Sequence, residues 1–377
     1  MVCCVRSIWC VGIIMTVQQI ADMPLPAHGG DVVWAAHTFD RPIEQWLDLS
    51  TAISPWVYPV PTAIPQYVWQ QLPYEQQGLL TAAANYYGCH QEHTHSTIIP
   101  VNGSQQAIQS LPHALAASTV AIPAVTYKEH ALAWEKAGHC VCFYRDLTQL
   151  QQLIDNQQVK HVVVVNPNNP TGVQWTKDTI MALRQQLLAD AYLVVDEAFM
   201  DLDHQHSMSA CHGLENTVVL RSLGKFFGLA GVRLGFVIVH GEQHNQQKLI
   251  TLLQGMNHPW GINHLALWLG EIVLRDTAWH SQQQQRIRAQ QVQVQACIER
   301  LSVGYYTGYG LLNTLVGDKA ALYDVFLAAA KEGILLRYEV IDKNTAWLRI
   351  GLPSDSQLLR LRAFVDLYND TKRMTSE

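Results

Sequence analysis

No stretch of this 377-residue chain reaches the roughly 18 consecutive apolar residues that a membrane helix needs, so no membrane span is expected. The nearest approach, Ile8 to Met15, has the outline of a secretory signal but is short. Residues 1–22 read instead as an unstructured extension, with translation starting at Met15 or Met23. Basic clusters are also absent. With 25 Lys+Arg against 31 Asp+Glu the net charge is −6, which excludes an electrostatic nucleic-acid footprint. The eight cysteines form no C-x-x-C pair, and Cys140-Val141-Cys142 reads as alternation along a strand. Unpaired thiols and a cytoplasmic location follow. His90, His93 and His95 are loosely spaced and no zinc-protease helix motif accompanies them, so no metal is expected. No internal repeat is present.

The chain is 49% hydrophobic, enough for a large core, and its length allows two domains. Apolar, β-rich runs occur at 97–101, 119–122, 139–143, 161–165, 191–195, 217–221 and 233–239. Most are separated by helix-length segments. This predicts an α/β fold with a mostly parallel, seven-stranded, doubly wound sheet. Residues 245–300 are rich in glutamine, as in Gln282-Gln283-Gln284-Gln285. They read as helices with solvated faces that lead into a smaller α+β C-terminal domain.

Three segments carry chemistry at strand carboxyl ends, where ligands bind in open α/β sheets. Val162 to Val165 is a fully buried strand followed by the rigid turn Asn166-Pro167-Asn168-Asn169-Pro170-Thr171-Gly172. Tyr192 to Val195 is a strand that delivers Asp196. Ser222-Leu223-Gly224-Lys225-Phe226-Phe227-Gly228 follows the next strand, and Arg233 opens the one after. Arg233 reaches the same edge only if that strand runs antiparallel, which is the expectation. A lysine amine, a carboxylate, a hydroxyl and a guanidinium at one edge suit pyridoxal phosphate (PLP). The amine condenses with the cofactor aldehyde, the carboxylate pairs the ring nitrogen, and the last two hold the phosphate.

In this order the motifs resemble the class I/II aminotransferase superfamily, PLP-dependent transferases of fold type I. The resemblance covers nearly the whole chain. It implies that Lys225 bonds the cofactor, Asp196 pairs its ring nitrogen, Asn169 faces its ring oxygen, and Ser222 and Arg233 hold its phosphate. It places Gly103-Ser104-Gln105 as the first phosphate loop, on a strand turning into a helix amino end; Ser104 also reads as a plain N-cap. Pro112 should end that helix early. Tyr127 matches the aromatic that stacks on the ring. The implied domains are an arm at 23–65, a large PLP-binding domain at 66–255 and a small domain at 256–377. The implied assembly is a homodimer.

His28-Gly29-Gly30-Asp31 and Asp48-Leu49-Ser50-Thr51-Ala52-Ile53-Ser54-Pro55 look like the threonine-phosphate decarboxylase branch of cobalamin biosynthesis. So do Asp196-Glu197-Ala198-Phe199 and Leu348-Arg349-Ile350-Gly351. The branch implies L-threonine O-3-phosphate as substrate, with CO₂ and (R)-1-aminopropan-2-yl phosphate as products. Arg337 and Arg349 are the candidate anchors for substrate charge, with Asn169, His28 and Gly29 closing over it. Three departures stand out. Phe199 replaces a frequent tyrosine, Ala52 a frequent asparagine, and Leu72-Pro73-Tyr74 a Tyr-Pro pair whose tyrosine reaches the partner subunit. Two other readings remain: an aminotransferase for a phosphorylated amine such as histidinol phosphate, and a non-catalytic partner protein of the same pathway.

Overall fold

The computed structural model describes residues 25–74, 77–90, 95–255 and 259–376. The extension read at 1–22 and His93 lie outside the described residues. After a short strand β1 (Leu47–Asp48), seven strands build the larger sheet. They are β2 (Ser96–Val101), β3 (Thr119–Pro123), β4 (Cys140–Tyr144), β5 (His161–Val165), β6 (Leu193–Asp196), β7 (Thr217–Ser222) and β8 (Gly235–His240). Each overlaps one of the seven predicted runs. Their spatial order is β2-β8-β7-β6-β5-β3-β4. β3, β4, β5, β6 and β7 pair in parallel, and β8 runs against both of its neighbours.

The continuous Val-rich runs arise because both faces of this sheet are covered. Val162, Val164, Val195, Val219 and Ile238 enter one apolar core; the alternate residues Val163, Val165, Val194, Val218 and Val239 enter another. The reversal of β8 agrees with expectation, but Arg233 does not open the strand. It stands two residues ahead, at φ 59°, where it closes the 3-10 turn Ala230–Val232 in a left-handed conformation. Asp196 likewise ends β6 rather than following it.

A second sheet is antiparallel, in the order β12-β13-β10-β9. Its strands are β9 (Tyr305–Tyr309), β10 (Leu312–Asp318), β12 (Arg337–Val340) and β13 (Thr345–Arg349), and β11 (Ile334–Leu335) pairs in parallel with β1. Helix Lys319–Lys331 packs on this sheet, and helix Asp355–Ser376 packs on helix Thr277–Ile298.

That last helix corrects the reading of the glutamines as solvated. Gln283 and Gln290 are buried. Gln283 donates to Ser54 Oγ at 2.7 Å and to the Phe226 carbonyl at 2.8 Å, and Gln290 donates to the Pro353 carbonyl at 2.9 Å. Long side chains ending in an amide satisfy loop carbonyls that a leucine would leave bare. The segment after β1 also crosses the lysine loop: the Ser54 N–H donates to the Lys225 carbonyl at 3.0 Å, and Tyr58 N–H to Phe227 at 2.9 Å. Among the described residues no helix is long and apolar enough to cross a membrane, and no group of three metal-ligating side chains occurs.

Candidate active site

β5, β6 and β7 are adjacent and parallel, so their carboxyl ends deliver Asn169, Asp196, Ser222 and Lys225 to one edge. There a cavity of about 310 Å³ opens, lined by residues of both sheets. His28, Gly29, Gly103, Ser104, Gln105, Tyr127, Asn169, Asp196, Ser222, Lys225, Arg233, Arg337 and Arg349 all line it.

Lys225 points inward with Nζ 5.7 Å from the centre of the Phe199 ring. Burial, then the charges of Arg349 and Arg233, press its amine down to about 8 against the opposing pull of Asp196. Asp196 accepts the Ala198 N–H at 3.0 Å, and its Oδ2 lies 2.8 Å from Nε2 of His130; both side chains are buried. His130 was not singled out from the sequence. Its one available signal was its place one helical turn beyond Tyr127.

Ser222 Oγ accepts the Gly224 N–H at 3.2 Å, and Arg233 reaches back to the Ala230 carbonyl at 3.2 Å. A Cβ on Gly103 would lie 2.6 Å from Arg233 Nη2, and one on Gly235 would lie 2.6 Å from the Ser104 nitrogen. Only glycine lets the guanidinium and the two backbones meet there. Gly103, not Ser104, holds the N-cap position; Ser104 is the first helical residue and makes no side-chain cap. The helix ends at Ser110, and Pro112 falls in the following 3-10 turn.

One wall is a hydrogen-bonded chain. Tyr127 donates to Gln105 Oε1 at 2.9 Å, Gln105 Nε2 donates to Glu129 Oε2 at 2.9 Å, and Glu129 Oε1 stands 3.2 Å from His28 Nε2. Burial, then the charges of Glu129 and Asp196, push the Tyr127 hydroxyl up to about 12, so it remains a donor.

The opposite wall comes from the second sheet. Arg349 is buried and donates to the Asn169 side-chain oxygen and, at 2.7 Å, to the Ser50 carbonyl. Burial and the nearby Arg337 lower it to about 10, leaving it charged at neutral pH. Ser50 Oγ accepts the Gly30 N–H at 2.7 Å, and a Cβ on Gly29 would lie 2.4 Å from the Ser50 carbonyl. The His28-Gly29-Gly30 turn and the Asp48-Leu49-Ser50 segment therefore meet at Arg349. Arg337, opposite Arg349 in register, is already engaged: it donates to the Pro26 and Ala27 carbonyls and to Glu339 at 3.1 Å. Asn169 is held from behind. Thr314 donates to the Pro170 carbonyl and Thr307 to the Thr171 carbonyl, each at 2.6 Å.

Beneath the cavity lies a buried charge network. Arg221, the residue before Ser222, donates to Glu197, the residue after Asp196, at 2.9 Å and to Asp201 at 2.7 Å.

The class I and II aminotransferase family matches residues 69–365. The chain belongs to that family. Within it, this member is similar to the threonine-phosphate decarboxylase of Pseudomonas aeruginosa, with 38% identity over 87% of this chain and 93% of the relative. The threonine-phosphate decarboxylase of a Sinorhizobium species is 34% identical over 87% of this chain and 94% of its own length. In fold it is similar to the histidinol-phosphate aminotransferase from Sinorhizobium meliloti, solved in complex with pyridoxal-5'-phosphate. That match has a TM-score of 0.70 and 17% identity, over 93% of this chain and 97% of the other.

Proposed function

We propose that this protein is a PLP-dependent decarboxylase of L-threonine O-3-phosphate that releases CO₂ and (R)-1-aminopropan-2-yl phosphate. Its place in cobalamin biosynthesis rests on the resemblance of the His28-Gly29-Gly30 and Asp48-Leu49-Ser50 segments to that branch. The observation that carries the reading is the pairing of Arg337 and Arg349 in register on the second sheet, both lining the cavity that holds Lys225. Two guanidinium forks suit a substrate with a carboxylate and a phosphate. The two decarboxylase relatives, matched over nearly their whole length, support it.

The donor set fits PLP. The Gly103 cradle would close if it bore a Cβ, and it admits Arg233 beside Ser222, so these residues would hold the phosphate. Asp196 would hold the ring nitrogen, Asn169 the ring oxygen, Tyr127 the ring face and Lys225 the aldehyde carbon. When bound, the cofactor supplies a sink for the electron pair left by a broken bond at the substrate α-carbon.

The chain's own residues do the rest. Arg349 binds the substrate carboxylate or phosphate. Its grip, with Arg337 and His28, would orient the substrate and so select which bond at the α-carbon, C–COO⁻ or C–H, is broken. His130 holds the Asp196 carboxylate in place. Lys225, buried at the cavity, would hold the cofactor and, as the amine nearest the reacting centre, would return a proton to the α-carbon. Phe199 cannot donate, so the ring oxygen falls to Asn169.

Initial rates on threonine phosphate and on threonine test the reading. It requires strong preference for the phosphorylated compound, because unpaired cations penalise the other; comparable rates on the two would contradict it. We further propose a cytoplasmic homodimer. Val57, Trp69, Leu72, Tyr74 and Trp260 are exposed, and Tyr74 meets Trp260 edge-on at 5.9 Å. Such apolar surface suits a partner subunit, and light scattering that finds a fully active monomer would overturn the dimer.

A further inference from the structure

We propose that Lys128 is a ligand of the substrate's phosphate and that Glu339 is its placeholder, a carboxylate that the phosphate displaces on binding. The inference rests on the reading of the substrate as a phosphorylated amino acid.

β12 and β13 place four residues on the face that lines the cavity. Arg337 stands opposite Arg349, and Glu339 opposite Trp347. Side chains alternate along a strand, so Arg337 and Glu339 share that face. Lys128 comes from the other side of the cavity mouth, directly after Tyr127. Its Nζ lies 2.5 Å from Glu339 Oε1, while Arg337 Nη2 lies 3.1 Å from Glu339 Oε2. Each oxygen of one carboxylate thus takes one cation, and the pair bridges the two sheets across the opening.

The three side chains differ in freedom. Glu339 and Arg337 are 16% and 12% exposed, but Lys128 is 64% exposed. The Lys128 contact, with its amine in water, contributes little net stability and is exchanged at small cost; the shielded Arg337 contact is the costlier one, which only a more highly charged ligand repays. A phosphate carries about −1.5 to −2 charge and three acceptor oxygens, and it outcompetes a carboxylate for two cations. A substrate without phosphate offers nothing in return for separating them, so Glu339 acts against such compounds as well as lowering affinity for the right one. In this arrangement Arg349 and Asn169 hold the substrate near the α-carbon, while Lys128 and Arg337 take the phosphate at the mouth.

The test is calorimetric binding of inorganic phosphate to the cofactor-loaded enzyme, with the cofactor's own phosphate position filled. Lys128→Gln is expected to raise Kd about five- to tenfold, and Lys128→Arg to stay within about twofold of the parent. Glu339→Gln is expected to lower Kd at least about threefold, because a competing charge is gone. KM for threonine phosphate should move in the same directions with kcat little changed. A Glu339→Gln variant with unchanged or weaker phosphate binding overturns the placeholder, since the residue would then merely position Arg337. Unchanged binding in Lys128→Gln, at an exposed position where folding is not at stake, overturns the ligand assignment. An enzyme that releases CO₂ yet ignores both substitutions contradicts this proposal alone. One that forms a keto acid while both substitutions act as stated contradicts only the decarboxylase reading.

Discussion

Arg349 donates to the side-chain oxygen of Asn169, joining the second sheet to the turn after β5. Its other terminal nitrogen holds Ser50, on which the His28-Gly29-Gly30 turn rests. Three segments far apart in sequence are thus organised by one guanidinium. Arg349→Ala is expected to raise KM for threonine phosphate ten- to a hundredfold, from the loss of about 1.5–3 kcal/mol for a charge-assisted contact. Bound-cofactor absorbance should persist. Arg349→Lys should recover only part, because a point charge cannot serve Asn169 and Ser50 together. Steady-state kinetics alongside the visible spectrum checks both.

The Asp196 and His130 contact gives a second expectation. Asp196→Asn should retain some cofactor but lose most turnover, since a neutral amide lacks the charge that would keep the ring nitrogen protonated. His130→Ala leaves a buried carboxylate short of a partner and should cost about 1–3 kcal/mol of stability together with activity. His130→Gln, which keeps an N–H donor, should recover much of both. Thermal melts and kcat of the three variants decide it.

Lys225 predicts a pH dependence. Its amine falls from an ordinary lysine value to about 8 in the folded, cofactor-free protein. The neutral, nucleophilic fraction therefore grows as pH rises through 8, and the rate of cofactor capture should climb between pH 7 and about 9 and then level. The folded pKa lies below the unfolded one, so the protonated lysine costs stability at pH 7. That cost is relieved as pH rises from 8 towards the unfolded value. Lys225→Ala should abolish turnover and the covalent label left by borohydride. Stopped-flow absorbance across this range measures the first, and peptide mapping the second.

Arg221 lies wholly buried between Glu197 and Asp201. Arg221→Ala strands two carboxylates in the interior and should destabilise the fold by about 3–5 kcal/mol. A melt within a few degrees of the parent would contradict this role.

Much of this was legible in the sequence because the central strands of the large sheet are buried on both faces, and most of its strands announce themselves as apolar runs. Even the reversal of β8 followed from the need to bring Arg233 to the edge, although Arg233 itself caps a 3-10 turn. The strands of the second sheet were harder to read, since they are short and carry mixed residues such as Arg337 and Glu339. The thirteen residues chosen for the site line one cavity, yet His130, Glu129, Lys128 and Glu339 went unseen. They act through partners brought near by tertiary packing, and no local spacing encodes that. Gln283 and Gln290 misled for the same reason: a polar residue reads as solvated until the carbonyl that it reaches is known.

The most direct test of the account uses threonine phosphate labelled with carbon-13 at its carboxyl carbon. The cofactor-loaded enzyme should release the label as CO₂, followed by carbon-13 NMR, and leave an unlabelled aminopropanol phosphate. Label retained in a keto acid, with the amine transferred to the cofactor, would contradict the decarboxylase and make this chain an aminotransferase.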